Sequence, residues 1–223
     1  MSTLLLGHRG ARAAKSIPEN TIASFDRCLA DGCDGFEFDV RLTADVQPVI
    51  CHDPKFEGAV IAKSRARQLA NLPTLEEVLR RYRERAFLDI ELKVPGVEQI
   101  TADLLKQYSP QHGVVVSSFL RDVLHGFHAT GSAAPLGLIC ETKAQLRGWE
   151  QLPIAYVIVH RQHVSPELVG DVHKAGKKVI VWTANAAPEM RRLEALGVDA
   201  VISDDTSLLR RTLSKENSAR SVK

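Results

Sequence analysis

Cysteine is scarce in this sequence: 223 residues contain four, at positions 28, 33, 51 and 140. None forms a C-x-x-C pair, and a chain of this length needs no covalent staples, so they read as reduced thiols of a cytoplasmic protein. Long apolar runs are missing as well. The N-terminal apolar stretch is Leu4, Leu5 and Leu6, followed directly by Gly7, His8 and Arg9, with no basic segment ahead of it. That is neither a signal peptide nor a membrane span. No sign of charge dominates: 29 Lys and Arg against 27 Asp and Glu leave +2, too little to argue for a nucleic-acid partner but compatible with a local site for one phosphate. There is no low-complexity segment and no linker composition that would mark a domain boundary. What is there, 44% hydrophobic and 25% charged residues, is the balance of an ordinary soluble globular protein.

Short apolar runs alternate with helix-like stretches from end to end. The runs predict strands at residues 4–7, 35–40, 87–92, 114–117, 136–140, 156–160, 179–183 and 200–203. Between most of them apolar residues recur at three- and four-residue spacing, which predicts helices at 75–83, 98–107, 166–175 and 188–196. Gly176 and Gly197 each follow the last periodic residue, where a helix commonly ends on a left-handed residue. Repeated βα units in a chain of this size predict a single α/β domain over residues 1–214, a closed (β/α)8 TIM barrel. An open doubly wound sheet would carry a glycine-rich phosphate turn after its first strand, and Gly7-His8-Arg9-Gly10 does not fit G-x-G-x-x-G. Residues 48–52 break the rhythm. They follow Val40 too closely for a helical crossover and are predicted to form a short arm folding back over the barrel mouth after the second strand. Residues 215–223 are polar, without apolar periodicity, and are expected to fray.

Two predicted strands carry acids where a buried strand should carry none. Along residues 35–40, Phe36, Phe38 and Val40 share one face and Glu37 and Asp39 the other. Along residues 88–93, Leu88, Ile90 and Leu92 oppose Asp89, Glu91 and Lys93. Inside a barrel both faces are covered, and carboxylates facing one interior repel one another unless a cation sits among them. Oxygen ligands of this kind suit a hard divalent metal. Two amphipathic strands with one wet face would explain either segment alone.

A barrel of this type builds its active site at the carboxyl ends of its strands. Those ends, with the arm, bring His8-Arg9, Glu37 and Asp39, His52-Asp53, Glu91 and Lys93, Glu141, His160, Trp182 and Ser203-Asp204 to one rim. His160 and Trp182 are expected walls of a leaving-group pocket, with core or rim packing as the alternative. Asp53 is expected to orient His52 or cap a turn. Asp89, one layer below Glu91, is a candidate partner for Lys93 instead of a ligand. Glu19 and Asn20 precede a helix, so capping explains Asn20 as well as catalysis does.

Taken in order, His8-Arg9-Gly10, Pro18-Glu19-Asn20-Thr21, Glu37-x-Asp39-Val40, His52-Asp53, Glu91-x-Lys93, Val181-Trp182-Thr183-Ala184-Asn185 and the run from Gly197 to Asp204 resemble the glycerophosphodiester phosphodiesterase family. Each triplet is weak alone, but together they span nearly the whole chain. The resemblance implies a barrel enzyme that cleaves small-molecule glycerophosphodiesters to glycerol phosphate and an alcohol with one divalent metal ion, Mg2+ or Ca2+. It matches His8 and His52 to the acid/base pair, Glu37, Asp39 and Glu91 to the metal ligands, and Arg9 and Lys93 to the phosphate-side cations. Glu19 and Asp53 fall in supporting positions. Histidine, whose ordinary pKa is about 6.5, suits proton transfer in both directions at neutral pH.

The sequence departs from that pattern in two places. Family members usually carry, after His-Asp, an insertion of several dozen residues with an Arg-x-Thr-x-Gly element. Here only residues 54–72 separate His52-Asp53 from Pro73-Thr74-Leu75, so the cap is reduced. A more open mouth would admit a lysophospholipid or another bulky diester. The usual Thr-Asp-x-Pro also reads Ser203-Asp204-Asp205-Thr206. Two other classes share these features. A metal-dependent sugar isomerase or lyase needs no phosphate-facing cation pair, against which Arg9 and Lys93 argue. A non-catalytic phosphodiester-binding barrel would be expected to have lost a histidine or a ligand.

Overall fold

The computed structural model describes residues 2–213. The chain opens with β1 (Leu4–His8), α1 (Ile22–Ala30), β2 (Gly35–Leu42) and β3 (Pro48–Ile50), and continues through a small hairpin of β4 (Lys55–Phe56) and β5 (Ala59–Val60). Then follow α2 (Leu75–Tyr82), β6 (Phe87–Leu92), α3 (Glu98–Gln107), β7 (Val114–Ser118), α4 (Arg121–Ala129) and β8 (Leu136–Cys140). The last units are β9 (Tyr156–His160), α5 (Pro166–Lys174), β10 (Lys178–Trp182), α6 (Ala187–Ala195), β11 (Ala200–Ser203) and α7 (Thr206–Leu213).

Eight of these strands run parallel in the order β1, β11, β10, β9, β8, β7, β6, β2, and β1 also pairs with β2, so the sheet closes into the expected (β/α)8 barrel. Each predicted strand is present to within a residue at either end, except that β2 runs two residues past its expected end, to Leu42. The helices at 75–83, 98–107, 166–175 and 188–196 are likewise found, and Gly176 and Gly197 take φ of +71° and +77° just past their helices. One crossover departs from the repeat. Between β8 and β9 the described chain forms only a 3-10 turn, Trp149–Gln151. Gly148 in the left-handed region before it and Pro153 after it leave no run long enough for an α-helix.

The two faces of the strands go where their residues require. Phe36, Phe38, Val40, Leu88, Ile90 and Leu92 point outward into the layer between barrel and helices. There Phe36 stacks on Phe25 of α1 with centroids 4.3 Å apart, and Tyr82 of α2 closes the cluster edge-on. The barrel interior is filled by Leu6, Val115, Ile139, Ile158, Ile180 and Ile202. Glu37, Asp39, Asp89 and Glu91 face that same interior near its carboxyl end, all under 8% exposed.

The arm is β3, antiparallel to the carboxyl end of β2 with Val40 opposite Ile50 and Leu42 opposite Pro48. The reduced cap, residues 54–72, is the β4–β5 hairpin and two 3-10 turns packed on a small core of Val49, Ile61 and Leu69. The expected fraying of residues 215–223 lies outside the described residues. Among the described residues no helix is long and apolar enough to cross a membrane.

Candidate active site

Parallel pairing of β2 with β6 sets Glu37 beside Asp89 and Asp39 beside Glu91. Oxygens of Glu37, Asp39 and Glu91 all lie within 4.8 Å of one another. Their environments differ. Asp39 accepts from Asn20 Nδ2 at 2.8 Å and pairs with Arg9 Nε at 3.3 Å and Lys93 Nζ at 3.2 Å. Burial alone would raise its pKa, but Lys93, Arg9 and Asn20 outweigh it and hold Asp39 below the ordinary carboxylate range. Glu91 is pushed up to about 7, by burial first and then by the charge of Asp39, with Lys93 Nζ at 2.7 Å opposing. Burial also drives Glu37 well above its ordinary value, reinforced by the neighbouring carboxylates. Glu37 Oε2 accepts from the backbone N–H of Arg9 at 3.0 Å, while its buried Oε1 has no hydrogen-bond partner. An unpartnered oxygen within a buried three-carboxylate cluster fits a hard divalent cation, because that donor set is otherwise costly to bury.

The loops that carry Arg9 and Asn20 are bound to each other. Both residues sit in the left-handed region, at φ +52° and +57°, and Asn20 N–H donates to Arg9 O at 3.0 Å. Gly10 follows at φ +80°, where a Cβ would lie 2.4 Å from Ser24 Oγ, so only glycine lets this turn close on α1. Glu19 braces the cations from outside, accepting from Arg9 Nη1 at 2.7 Å and Arg12 Nε at 2.6 Å.

His8 and His52 end β1 and the arm, and each has its Nδ1 2.7 Å from a carboxylate, Asp204 for His8 and Asp53 for His52. A carboxylate accepts, so Nδ1 carries the proton and Nε2 is left for other work. The two partners are unlike. Asp53 is 75% exposed, whereas Asp204 is 18% exposed and also accepts from Asn185 Nδ2 at 2.6 Å and Arg12 Nη1 at 3.3 Å. Burial alone would raise the Asp204 pKa, but His8, Asn185 and Arg12 outweigh it and bring it to about 2. His8 Nε2 lies 3.9 Å from Glu37 Oε2.

A cavity of about 290 Å³ brings these groups together. His8, Arg9, Glu37, His52, Glu91 and Lys93 line it together with an apolar set, Phe119, Ile139, Ile158 and Trp182, and with Glu141; Lys93 Nζ stands 5.7 Å from the centroid of the Phe119 ring. Trp182 lines the cavity. His160 does not line this cavity. Its ring stands edge-on to Trp182, centroids 5.4 Å apart, so it supports Trp182 from behind.

Two further positions, Asn20 and Asp89, carried more than one reading in the sequence. The cap of α1 is Thr21, which accepts from Ser24 N–H, and Asn20 instead bonds Asp39. Asp89 does not pair with Lys93. It accepts from Ser117 Oγ at 2.5 Å, and burial pushes it up to about 7. The roles of Asp204, Phe119 and Arg41 are not legible in the sequence. Closure of the barrel was the available signal for Asp204, since the last strand must lie beside the first.

Residues 8–208 match the pattern of the Glycerophosphoryl diester phosphodiesterase family. A protein named glycerophosphodiester phosphodiesterase from Caldanaerobacter subterraneus subsp. tengcongensis is 29% identical over 238 residues, 94% of this chain and 97% of that one. An Oleispira antarctica phosphodiesterase, solved in complex with the product sn-glycerol-3-phosphate, superposes with a TM-score of 0.83 at 27% identity over 96% of this chain and 98% of that one. A structure from Galdieria sulphuraria, TM-score 0.85 at 21% identity over 96% of this chain and 99% of that one, shares the fold.

Proposed function

The chain belongs to the glycerophosphoryl diester phosphodiesterase family, and on that premise we propose that it hydrolyses glycerophosphodiesters to glycerol 3-phosphate and an alcohol. It is a phosphoric diester hydrolase. The observation that carries the mechanistic reading is a juxtaposition: two histidines with Nδ1 bonded to carboxylates share one cavity with a buried carboxylate cluster and two cations.

A phosphodiester resists attack because its oxygens repel a nucleophile. Arg9 and Lys93 reach the cavity from opposite flanks of the acids and share the phosphate charge. A divalent ion, Mg2+ or Ca2+, held by Glu37, Asp39 and Glu91 would supply Lewis acidity toward those oxygens when bound. One of His8 and His52 takes the proton of the attacking hydroxyl as its oxygen bonds to phosphorus. The other gives a proton to the alcohol oxygen as the phosphorus–oxygen bond to the alcohol breaks. Asp204 and Asp53 keep both imidazoles in the tautomer that presents Nε2.

The reduced cap leaves few contacts for the alcohol, so the alcohol half is broadly tolerated and recognition rests on the phosphate and glycerol half. The four cysteines are free, which suits a reducing compartment, and the reading places the enzyme in the cytoplasm.

The test is turnover of glycerophosphocholine, glycerophosphoethanolamine, glycerophosphoglycerol and a lysophospholipid, each with Mg2+, Ca2+ and Mn2+. At least one glycerophosphodiester is expected to be cleaved in a metal-dependent way. His8→Ala and His52→Ala are each expected to lose about 10²–10⁴-fold in kcat with metal affinity retained. No turnover in any combination, or near-native turnover in either variant, overturns the reading.

A further inference from the structure

Glu37, Asp39 and Arg41 alternate along one face of β2, so the strand that supplies two clustered carboxylates carries a guanidinium at the next position on that face. Arg41 is not among the residues lining the cavity. Its Nε and Nη2 both donate to the backbone carbonyl oxygen of His52, at 2.8 and 2.6 Å.

The place of that carbonyl explains why the contact matters. The ladder between β2 and the arm pairs Arg41 with Val49 and Val40 with Ile50, and its last main-chain bond runs from Cys51 N–H to Asp39 O at 3.0 Å. His52 lies one residue beyond that bond. Its imidazole is tethered to Asp53, whose side chain is 75% exposed, and water competes for such a pair. Among the described residues no other hydrogen bond reaches His52, so the Arg41 fork is the firmest hold on it. Hydrogen bonds from a charged donor are the strong ones, and the planar guanidinium loses little freedom in making two at once.

We propose that Arg41 is a positioning residue: its guanidinium fixes the peptide of His52 and thereby holds the imidazole at the cavity rim within reach of the reacting oxygen. This rests on the reading of His52 as an acid/base group. Arg41 acts through His52 alone, so its loss lowers kcat and leaves KM and metal affinity in place, since Arg9, Lys93 and the carboxylates are untouched. Misplacement of a reacting group by about 1 Å costs on the order of 10²-fold, which sets the expected loss at about 10- to 100-fold.

A double-mutant cycle tests it, using Arg41→Gln, His52→Ala and the pair of substitutions, assayed in the full chain with Mg2+ and the best glycerophosphodiester. The expected result is a large kcat loss from Arg41→Gln in the native background and no further loss in the His52→Ala background. Arg41→Lys keeps one donor and is expected to recover part of the rate; should Arg41→Gln fail to fold, it carries the same cycle. Near-native kcat in the Arg41 variant, or an equal loss in both backgrounds, overturns the role. Native turnover in His52→Ala overturns the acid/base reading and this inference with it. An inactive His52→Ala beside a fully active Arg41→Gln overturns only this inference.

Discussion

His8 Nδ1 donates to Asp204 Oδ1 at 2.7 Å, joining the end of the first barrel strand to the residue just after the last one, across 196 positions of sequence. This contact bridges the seam where β1 pairs with β11, and it gives Asp204 a measurable signature. A carboxyl held at about 2, against an ordinary 3.8, stabilises the fold while the pH stays above that ordinary value. The contribution is lost as pH falls from there toward 2. Each tenfold change in proton affinity is worth about 1.4 kcal/mol, and partial exposure discounts the total to roughly 1–2 kcal/mol. Asp204→Asn is therefore expected to cost that much at pH 6, with the gap to the native protein closing as both are unfolded by denaturant at progressively lower pH. A gap independent of pH would show that the carboxylate charge is not what matters. The same variant is expected to lower kcat by about 10²-fold or more, because an amide no longer dictates the His8 tautomer.

Removing a carboxylate from the cluster should act on the metal first. Glu37→Gln and Glu91→Gln are each expected to weaken binding of Mg2+ or Ca2+ by more than about 100-fold, beyond the loss usual for supporting residues. The fold is expected to survive, because each change also removes a buried carboxyl whose pKa burial has raised. Titration calorimetry beside circular dichroism checks both halves. Undiminished affinity in both variants would defeat the assignment.

Trp182 lines the same cavity as the charged groups, packed edge-on against Phe119 with centroids 5.7 Å apart. Trp182→Ala is expected to change relative kcat/KM among glycerophosphodiesters with different alcohols, with metal affinity unaltered. Differences of about 10-fold are in keeping with one lost apolar contact. A uniform loss on every diester would assign Trp182 to packing. A preference of a hundredfold or more for one alcohol in the native enzyme would contradict the broad tolerance proposed above.

Stability can be gained away from the chemistry. Val46 sits at the tip of the turn from β2 to the arm, 56% exposed and at φ +62°. A β-branched side chain in the left-handed region costs on the order of 1–3 kcal/mol, and glycine adopts that region freely. Val46→Gly is expected to stabilise by about 1 kcal/mol, after the entropy glycine loses on folding, with kcat unchanged. Chemical denaturation reads the gain directly, and a loss of stability would mean that the turn is not strained.

The sequence by itself determined which segments become the eight barrel strands and which face of β2 and β6 carries the acids. Alternation places Phe36, Phe38 and Val40 against the helices and Glu37 and Asp39 in the barrel, and that information is local to six residues. It also marked His8, Arg9, His52, Glu91 and Lys93, since each stands at or just past a strand or arm end and the fold puts those ends on one rim. Tertiary structure alone decided the pairings. Whether Asn20 caps a helix or bonds Asp39, whether Asp89 meets Lys93 or Ser117, and whether His160 lines the cavity or backs Trp182 depend on ångström-scale distances between elements remote in sequence. The roles of Asp204, already placed on the rim, and of Arg41 are not legible in the sequence for the same reason. Their partners lie across the closure of the barrel and across the turn into the arm, and hydrogen bonds of that kind leave no periodicity in the chain that makes them.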